Sequence, residues 1–146
     1  MPTNRKEKLL ELFNRRAPIA KTFGMKLSFD VDDRANISLP YNPDLDHALG
    51  GIHGGVVATL LDNAGWFTCA LAHEGEGWVV TSEMSFHLFQ PVQKTDLLAR
   101  GRILRSGKRQ DIADMRCWDQ DNNLVAHATG TFLYLDKIPI AELPKS

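Results

Sequence analysis

Two segments of the chain carry the hydrophobic pattern of helices. From Asn4 to Arg16, apolar residues recur at helical spacing, Asn4 and Glu7 fit a capping box, and Pro18 marks the exit. From Val56 to Ala72 the chain is apolar on every side, which is typical of a helix inside a protein. The pattern predicts an amphipathic helix near the N-terminus and a central helix without a solvent face.

The remaining segments have strand-like patterns separated by turn residues. Six strands are predicted: Met25–Val31, Arg34–Leu39, Trp78–Phe89, Leu97–Arg105, Arg109–Trp118 and Leu124–Leu135. The last one places three small residues, Ala126, Ala128 and Gly130, on one face, where the central helix is the natural candidate for close packing. These elements predict an α+β fold in which a long antiparallel sheet wraps around a central helix.

Length and composition limit the possible classes of function. The 146 residues have the size of one domain, and 17 basic against 18 acidic residues argue against a nucleic-acid binder. No run of about 18 residues is apolar throughout, and the first residues lack a signal-peptide pattern. We therefore expect a cytoplasmic protein without a membrane partner. Cys69 and Cys117 are expected to be buried free thiols, and no metal-ligand spacing appears.

One carboxylate conflicts with the apolar character of the central helix. Asp62 lies in its middle, where an unpaired charge would lose hydration worth about several kcal/mol. The helix is preceded by His53, Gly54 and Gly55. A buried carboxylate is therefore expected either to be paired with a neighbouring group or to take part in chemistry.

These residues resemble the hotdog-fold thioesterase superfamily, in its phenylacetic-acid-degradation branch of acyl-CoA thioesterases. The resemblance covers about residues 23–135 and rests on four motifs: Gly51–Gly55, Leu60–Asp62, Thr81–Phe86 with Pro91, and Asn122–Ala126 through Gly130–Phe132. It implies a single hotdog domain over residues 1–146 that hydrolyses acyl-CoA to a carboxylic acid and free CoA. No metal or redox cofactor is implied, and coenzyme A enters only as part of the substrate.

The helix start and Asp62 supply complementary chemistry for such a reaction. At Gly54 and Gly55 the first helical N–H groups lack internal partners, and a glycine lets a ligand oxygen approach the backbone closely. These groups suit the oxyanion that forms at a thioester carbonyl. Asp62 would attack the carbonyl or draw a proton from an attacking water, and the residues alone leave this choice open.

One copy of the helix cannot bring both groups to one substrate. Eight residues at about 1.5 Å each separate Gly54 from Asp62 by roughly 12 Å. A two-fold dimer with antiparallel helices would place Gly54 of one subunit opposite Asp62 of the other. We therefore expect a homodimer with two composite sites, and the resemblance adds that such dimers often pair into tetramers.

The resemblance assigns further site residues by position. His47, six residues before His53, stands where the family commonly has Asn or Gln to fix the substrate or the water, and imidazole can donate the same hydrogen bond. Thr81 stands where relatives carry a Ser or Thr that holds the water near the carboxylate. By this analogy His47 and Gly54 act from one subunit, with Gly55 also at the substrate, while Asp62 and Thr81 act from the other.

Several other side chains have a structural and a functional interpretation. Arg105, Lys108 and Arg109 either form a solvated hairpin tip or bind the phosphates of coenzyme A. His53 is expected to bond backbone at the helix start. By period-two alternation, Glu83 and His87 share a face with Thr81 and are expected to face solvent or an interface. Five aromatic residues form the core or line an acyl pocket: Trp66, Phe67, Trp78, Phe86 and Trp118.

Two rival functions remain at this stage. A non-catalytic hotdog domain would bind acyl-CoA without turnover, although the intact Asp62 and the His53–Gly55 motif count against it. A hotdog dehydratase acting on hydroxyacyl thioesters would typically use a His–Asp or His–Glu pair, and the sequence context of such a pair is not found.

Overall fold

A six-stranded antiparallel sheet forms the frame of the molecule. The computed structural model describes residues 4–140. Its strands are β1 (Lys26–Phe29), β2 (Ala35–Leu39), β3 (Gly77–Leu88), β4 (Leu97–Ser106), β5 (Gln110–Asp119) and β6 (Leu124–Pro139). The order across the sheet is β1-β2-β4-β5-β6-β3, so β3 lies at one edge. Together with the helices below, this sheet confirms the predicted α+β hotdog fold.

The N-terminal helical region is longer than predicted. The described helices are α1 (Arg5–Glu11), which continues as a π-helical turn (Leu12–Arg16), α2 (Pro18–Phe23) and α3 (Gly54–Ala72), with a short 3₁₀ turn at Pro43–Leu45. The Asn4 side chain accepts a hydrogen bond from the Glu7 N–H (2.8 Å), as the capping pattern predicts. Pro18 opens α2 instead of ending the helical region, because proline suits the first position of a helix.

The central helix α3 packs against one face of the sheet, which we call the inner face. It lies very close to β4, where a Cβ on Gly101 would lie 2.3 Å from the Ala64 carbonyl oxygen. The sequence predicted that the small residues of β6 would make the close contact with α3. A Cβ on Gly130 would instead meet the side chains of Phe132 and Met115. A glycine in a different strand therefore allows the close contact between helix and sheet.

Two predictions about buried groups have different outcomes. Cys69 and Cys117 are buried free thiols, as expected, and burial raises the pKa of Cys117 to about 12. The prediction that α3 has no solvent face is wrong. Residues at helical spacing form one side of the helix, and this side remains partly exposed: Gly55, Thr59, Asp62, Asn63 and Trp66.

The helix α3 is also long and apolar enough to cross a membrane, as judged by length and composition alone. Most of that stretch is buried inside the molecule, against the sheet. Its apolar character is therefore explained by packing in the core.

An irregularity in β3 changes which residues share a face. Thr81 lies opposite Phe132, whereas Glu83 lies opposite Thr131, so Ser82 is an extra residue in the ladder. Directly opposed residues share a face of the sheet, and the buried Phe132 faces inward. Thr81 therefore points to the inner face. The prediction that Glu83 and His87 share this face is wrong, because the extra residue moves both to the outer face.

Candidate active site

Asp62 is held at the edge of the core by a single hydrogen bond from β3. The Thr81 hydroxyl donates to Asp62 Oδ1 over 2.7 Å, so the structure brings these two predicted residues together. Burial raises the pKa of the Asp62 carboxyl, and the bond from Thr81 offsets this effect only in part. A partly buried carboxylate with a raised pKa is a stronger base than an exposed one.

Asp62 and Thr81 open into a cavity of about 580 Å³. Much of its wall is apolar and comes from α3, β3 and the N-terminal helical region: Leu12, Phe13, Ala17, Ile19, Trp66, Phe67, Trp78 and Val79. The Trp66 indole N–H donates to the Val79 carbonyl oxygen (2.8 Å), which fixes this ring beside Asp62. The cavity can therefore accept an apolar group directly next to the carboxylate.

The cavity shows which of the five aromatic residues lie at the site. Trp66, Phe67 and Trp78 line it, and the Trp66 ring lies 4.6 Å from that of Phe67 and 4.8 Å from that of Trp78 between centroids. Phe86 and Trp118 do not line it. Phe86 is partly exposed on the inner face of β3, and Trp118 lies on the outer face of β5.

The start of α3 presents one backbone donor without a partner. His53 Nδ1 accepts from the Gly55 N–H over 2.8 Å, which confirms the structural role predicted for His53. The Gly54 N–H has no acceptor within residues 4–140. Gly54, and not Gly55, therefore offers a free N–H at the positive end of the helix dipole.

His47 lies beside Gly54 at a second cavity of about 610 Å³. Its Nδ1 accepts from the Leu49 N–H (3.1 Å), which assigns the ring proton to Nε2 and leaves that nitrogen as a donor. A Cβ on Gly51 would lie 2.7 Å from His47 Nε2, so the ring needs a glycine there. His47 and Gly54 thus line one cavity, and Asp62 and Thr81 line another.

The basic residues of the predicted CoA site lie at the turn between β4 and β5. Arg105, Lys108 and Arg109 are exposed and line a third cavity of about 550 Å³. This cavity shares no lining residue with either of the others. Within one chain, the basic turn is therefore separate from Asp62 and from Gly54.

Sequence reasoning missed part of the site around Asp62. Asn63 lines the cavity and donates to the Thr59 carbonyl oxygen (2.8 Å). Its position directly after Asp62 in the sequence could have identified it. The wall from the N-terminal region had no signal in the sequence, because tertiary packing alone places it there. Within the described residues, no three His, Cys, Asp or Glu side chains come together as metal ligands would.

Comparison with known proteins identifies the family. A model described as the thioesterase superfamily matches residues 49–126, more than half of the chain. A Saccharolobus solfataricus protein with the name "Putative esterase SSO2140" is 25% identical over 125 residues, which cover 86% of this chain and 89% of that protein. The family and this relative support hydrolysis of a thioester or an ester.

Solved structures agree with this placement. The BH2602 protein from Bacillus halodurans, crystallised with CoA, is 28% identical with a TM-score of 0.77, and the match covers 91% of this chain and 95% of that one. The Escherichia coli PaaI protein from the phenylacetic acid degradation operon is 19% identical with a TM-score of 0.71, covering 82% and 85%, and shows the fold alone. The predicted resemblance to the thioesterase superfamily is confirmed, and the chain belongs to this family.

Proposed function

We propose that this protein is an acyl-CoA thioesterase, which hydrolyses an acyl-CoA to a carboxylic acid and free CoA. The observation that carries the proposal is Asp62, a partly buried carboxylate with a raised pKa that faces an apolar cavity. A base beside an apolar pocket suits a substrate whose reactive carbonyl is attached to an apolar acyl group. Membership of the thioesterase superfamily supports the same reaction class.

The active site in this proposal is completed by a second copy of the chain. Gly54 and Asp62 are roughly 12 Å apart along α3, too far to contact one carbonyl group. The outward edge of β3 has no partner strand within residues 4–140, and Phe86 and Leu88 on its inner face are 38% and 44% exposed. An unpaired edge with exposed apolar residues suits pairing with an identical strand.

A two-fold axis beside β3 would set the partly exposed sides of two α3 helices antiparallel. Gly54 of one subunit would then face Asp62 of the partner subunit, so that a homodimer has two equivalent sites. We also propose that two such dimers pair into a tetramer and that the protein is cytoplasmic.

The reaction follows from the groups at each half-site. The thioester oxygen accepts from the Gly54 N–H of one subunit, with His47 Nε2 as a second donor near it. Asp62 of the other subunit, positioned by Thr81, takes a proton from a water whose oxygen attacks the carbonyl carbon. The tetrahedral intermediate collapses, the C–S bond breaks, and the proton held by Asp62 passes to the leaving thiolate. Direct attack by Asp62 would use the same groups and form an acyl-enzyme that water then hydrolyses.

Coenzyme A as the thiol part of the substrate has independent support. The Bacillus halodurans relative was crystallised with CoA. Arg105, Lys108 and Arg109 form an exposed basic turn, and guanidinium and ammonium groups bind phosphates well. We assign this turn to the phosphates of CoA in the assembled dimer or tetramer.

Thiol release from a panel of acyl-CoAs tests the proposed reaction. We expect turnover by the wild type, and Asp62→Asn is expected to lower kcat by at least about a hundredfold, because it removes the base or nucleophile. The panel should contain phenylacetyl, short aliphatic and medium-chain aliphatic esters. The best substrate then defines the acyl group that the cavity accepts.

Asp121→Asn is the matched control, because it makes the same chemical change in an exposed turn. It should retain full activity. Near-normal turnover by Asp62→Asn in a folded protein would refute the assignment. Binding of acyl-CoA without turnover by the wild type would favour the non-catalytic rival.

A further inference from the structure

A small basic pocket lies on the outer face of the sheet, the face opposite α3. Its volume is about 220 Å³, and it is lined by Arg34, Arg100, Arg102, Asp114, Arg116 and Trp118. It shares no lining residue with the cavities around Asp62, His47 or Lys108. The proposed thioesterase reaction leaves this pocket without a role.

Strand register brings the arginine residues of the pocket together. Arg100 lies directly opposite Arg116, and Arg102 lies directly opposite Asp114. The intervening residues Gly101 and Met115 contact α3, so by alternation these charged side chains point outward. Like charges directly opposite each other on a sheet are destabilising, so a pair such as Arg100 and Arg116 needs compensation.

The carboxylates of the pocket compensate this charge only in part. Asp114 Oδ2 lies 3.2 Å from Arg102 Nη2 and 3.5 Å from Arg116 Nε, and its other oxygen bonds His127. Arg100 Nε lies 3.7 Å from Asp30 Oδ2. Four arginine residues line the pocket with one carboxylate, Asp114, and Asp30 lies beside Arg100. Asp32 and Asp33 lie with Arg34 and Arg102 at an adjoining cavity, so the lining of the pocket itself is mainly basic.

Three of the four arginine side chains, those of Arg100, Arg102 and Arg116, are held in place before any ligand binds. Arg100 Nε donates to Asn36 Oδ1 over 2.7 Å, and its guanidinium lies 5.5 Å from the centre of the Trp118 ring. Asp114, which anchors Arg102 and Arg116, is 5% exposed. Arranged guanidinium groups with an excess of positive charge are suited to bind oxyanions, because each presents N–H donors in a fixed plane.

We propose that this outer-face pocket binds a dianionic phosphate group carried by a small molecule. The negative charge of a phosphate group complements the mainly basic lining of the pocket. The pocket is small, about 220 Å³, and has room for a phosphate group. The rest of the ligand therefore extends into solvent. A second copy of the chain is a poorer occupant, since a two-fold contact at the pocket would bring arginine residues against arginine residues.

Isothermal titration calorimetry with inorganic phosphate at constant ionic strength tests the proposal. We expect saturable binding of phosphate at this pocket. The double variant Arg100→Gln with Arg116→Gln should weaken binding by at least about tenfold, through loss of two charge-assisted contacts. The double variant Arg15→Gln with Lys21→Gln removes the same charge from exposed positions that line none of the cavities, and it should keep the affinity within about twofold.

Two further measurements keep the result interpretable. Thermal unfolding of each variant without phosphate establishes that it is folded, and Arg34→Gln provides a second pocket variant should the double variant unfold.

Competition by CoA and by AMP identifies the source of the phosphate. If CoA displaces the bound phosphate and AMP does not, the pocket binds the substrate. If AMP displaces the phosphate equally well, the pocket binds free phosphate compounds. The absence of saturable binding, or an equal loss in both double variants, would overturn the proposal.

Discussion

At the scale of single residues, the reactivity of Asp62 depends on two opposing effects. Burial raises the pKa of the carboxyl, and the hydrogen bond from the Thr81 hydroxyl lowers it by less. The net effect is to keep a proton on Asp62 at pH values where an exposed aspartate has already lost it. The acidic limb of kcat/KM, which reports the free enzyme, should accordingly lie above the usual aspartate range.

The raised pKa of Asp62 also predicts a pH-dependent change in stability. Because the folded state disfavours the charged carboxylate, ionisation of Asp62 destabilises the folded protein as pH rises from the ordinary aspartate pKa through the raised one. Asp62→Asn should therefore gain stability relative to the wild type over that window and keep the gain at neutral pH. Thermal unfolding of both proteins across pH measures this difference. A difference in Tm that does not change with pH would contradict the raised pKa.

The backbone N–H of Gly54 can be tested by itself. His53 has φ −61° and ψ 133°, a conformation that proline tolerates in the preceding residue, and Gly54 is the first residue of α3. Gly54→Pro removes the N–H, and loss of one oxyanion donor should lower kcat by about a hundredfold or more. Gly54→Ala is the matched control, since its Cβ meets only the flexible tip of Leu88 and the N–H remains. Equal activity of the two variants would exclude this N–H as a donor.

At the scale of elements, the sequence patterns were sufficient to predict the type and order of the helices and strands, but not the local irregularities within them. Period-two alternation identified the strand from Gly77 to Leu88. It could not reveal the extra residue Ser82, which moves Glu83 and His87 to the other face of the sheet. Proline chemistry at residue 18 was compatible with the end of one helix or the start of another. The outcome in each case depends on contacts with neighbouring elements.

The helix α2 supplies a prediction about substrate preference. Ile19 lines the cavity beside Asp62 and is 44% exposed, so a lysine there can fold while placing a charge at the wall of the pocket. Ile19→Lys should lower kcat/KM for the longest apolar acyl-CoA by roughly tenfold and leave a short acyl-CoA unaffected. Val31→Lys is the control, because Val31 is 99% exposed and lines none of the cavities described above. Equal losses on short and long substrates would show that Ile19 does not contact the acyl chain.

At the scale of the whole molecule, the candidate site could be predicted in part because its key distances lie along one helix. The separation of Gly54 from Asp62 follows from helical rise alone, and it already required a second copy of the chain. The cavity at Asp62 and the outer-face arginine pocket could not be predicted, because each combines residues from elements distant in sequence. Only the register and packing of the folded sheet bring them together.

The composite site is the central claim, and mixing two inactive variants tests it most directly. Asp62→Asn and Gly54→Pro are unfolded together at equal concentration and refolded, and thiol release is then compared with that of each variant refolded alone. Half of the dimers should be hybrids, and each hybrid has one site with both defects and one intact site. The mixture should therefore recover about a quarter of wild-type activity. If the mixture is no more active than the two variants refolded separately, although both have refolded and exchanged subunits, Gly54 and Asp62 do not act across a dimer interface.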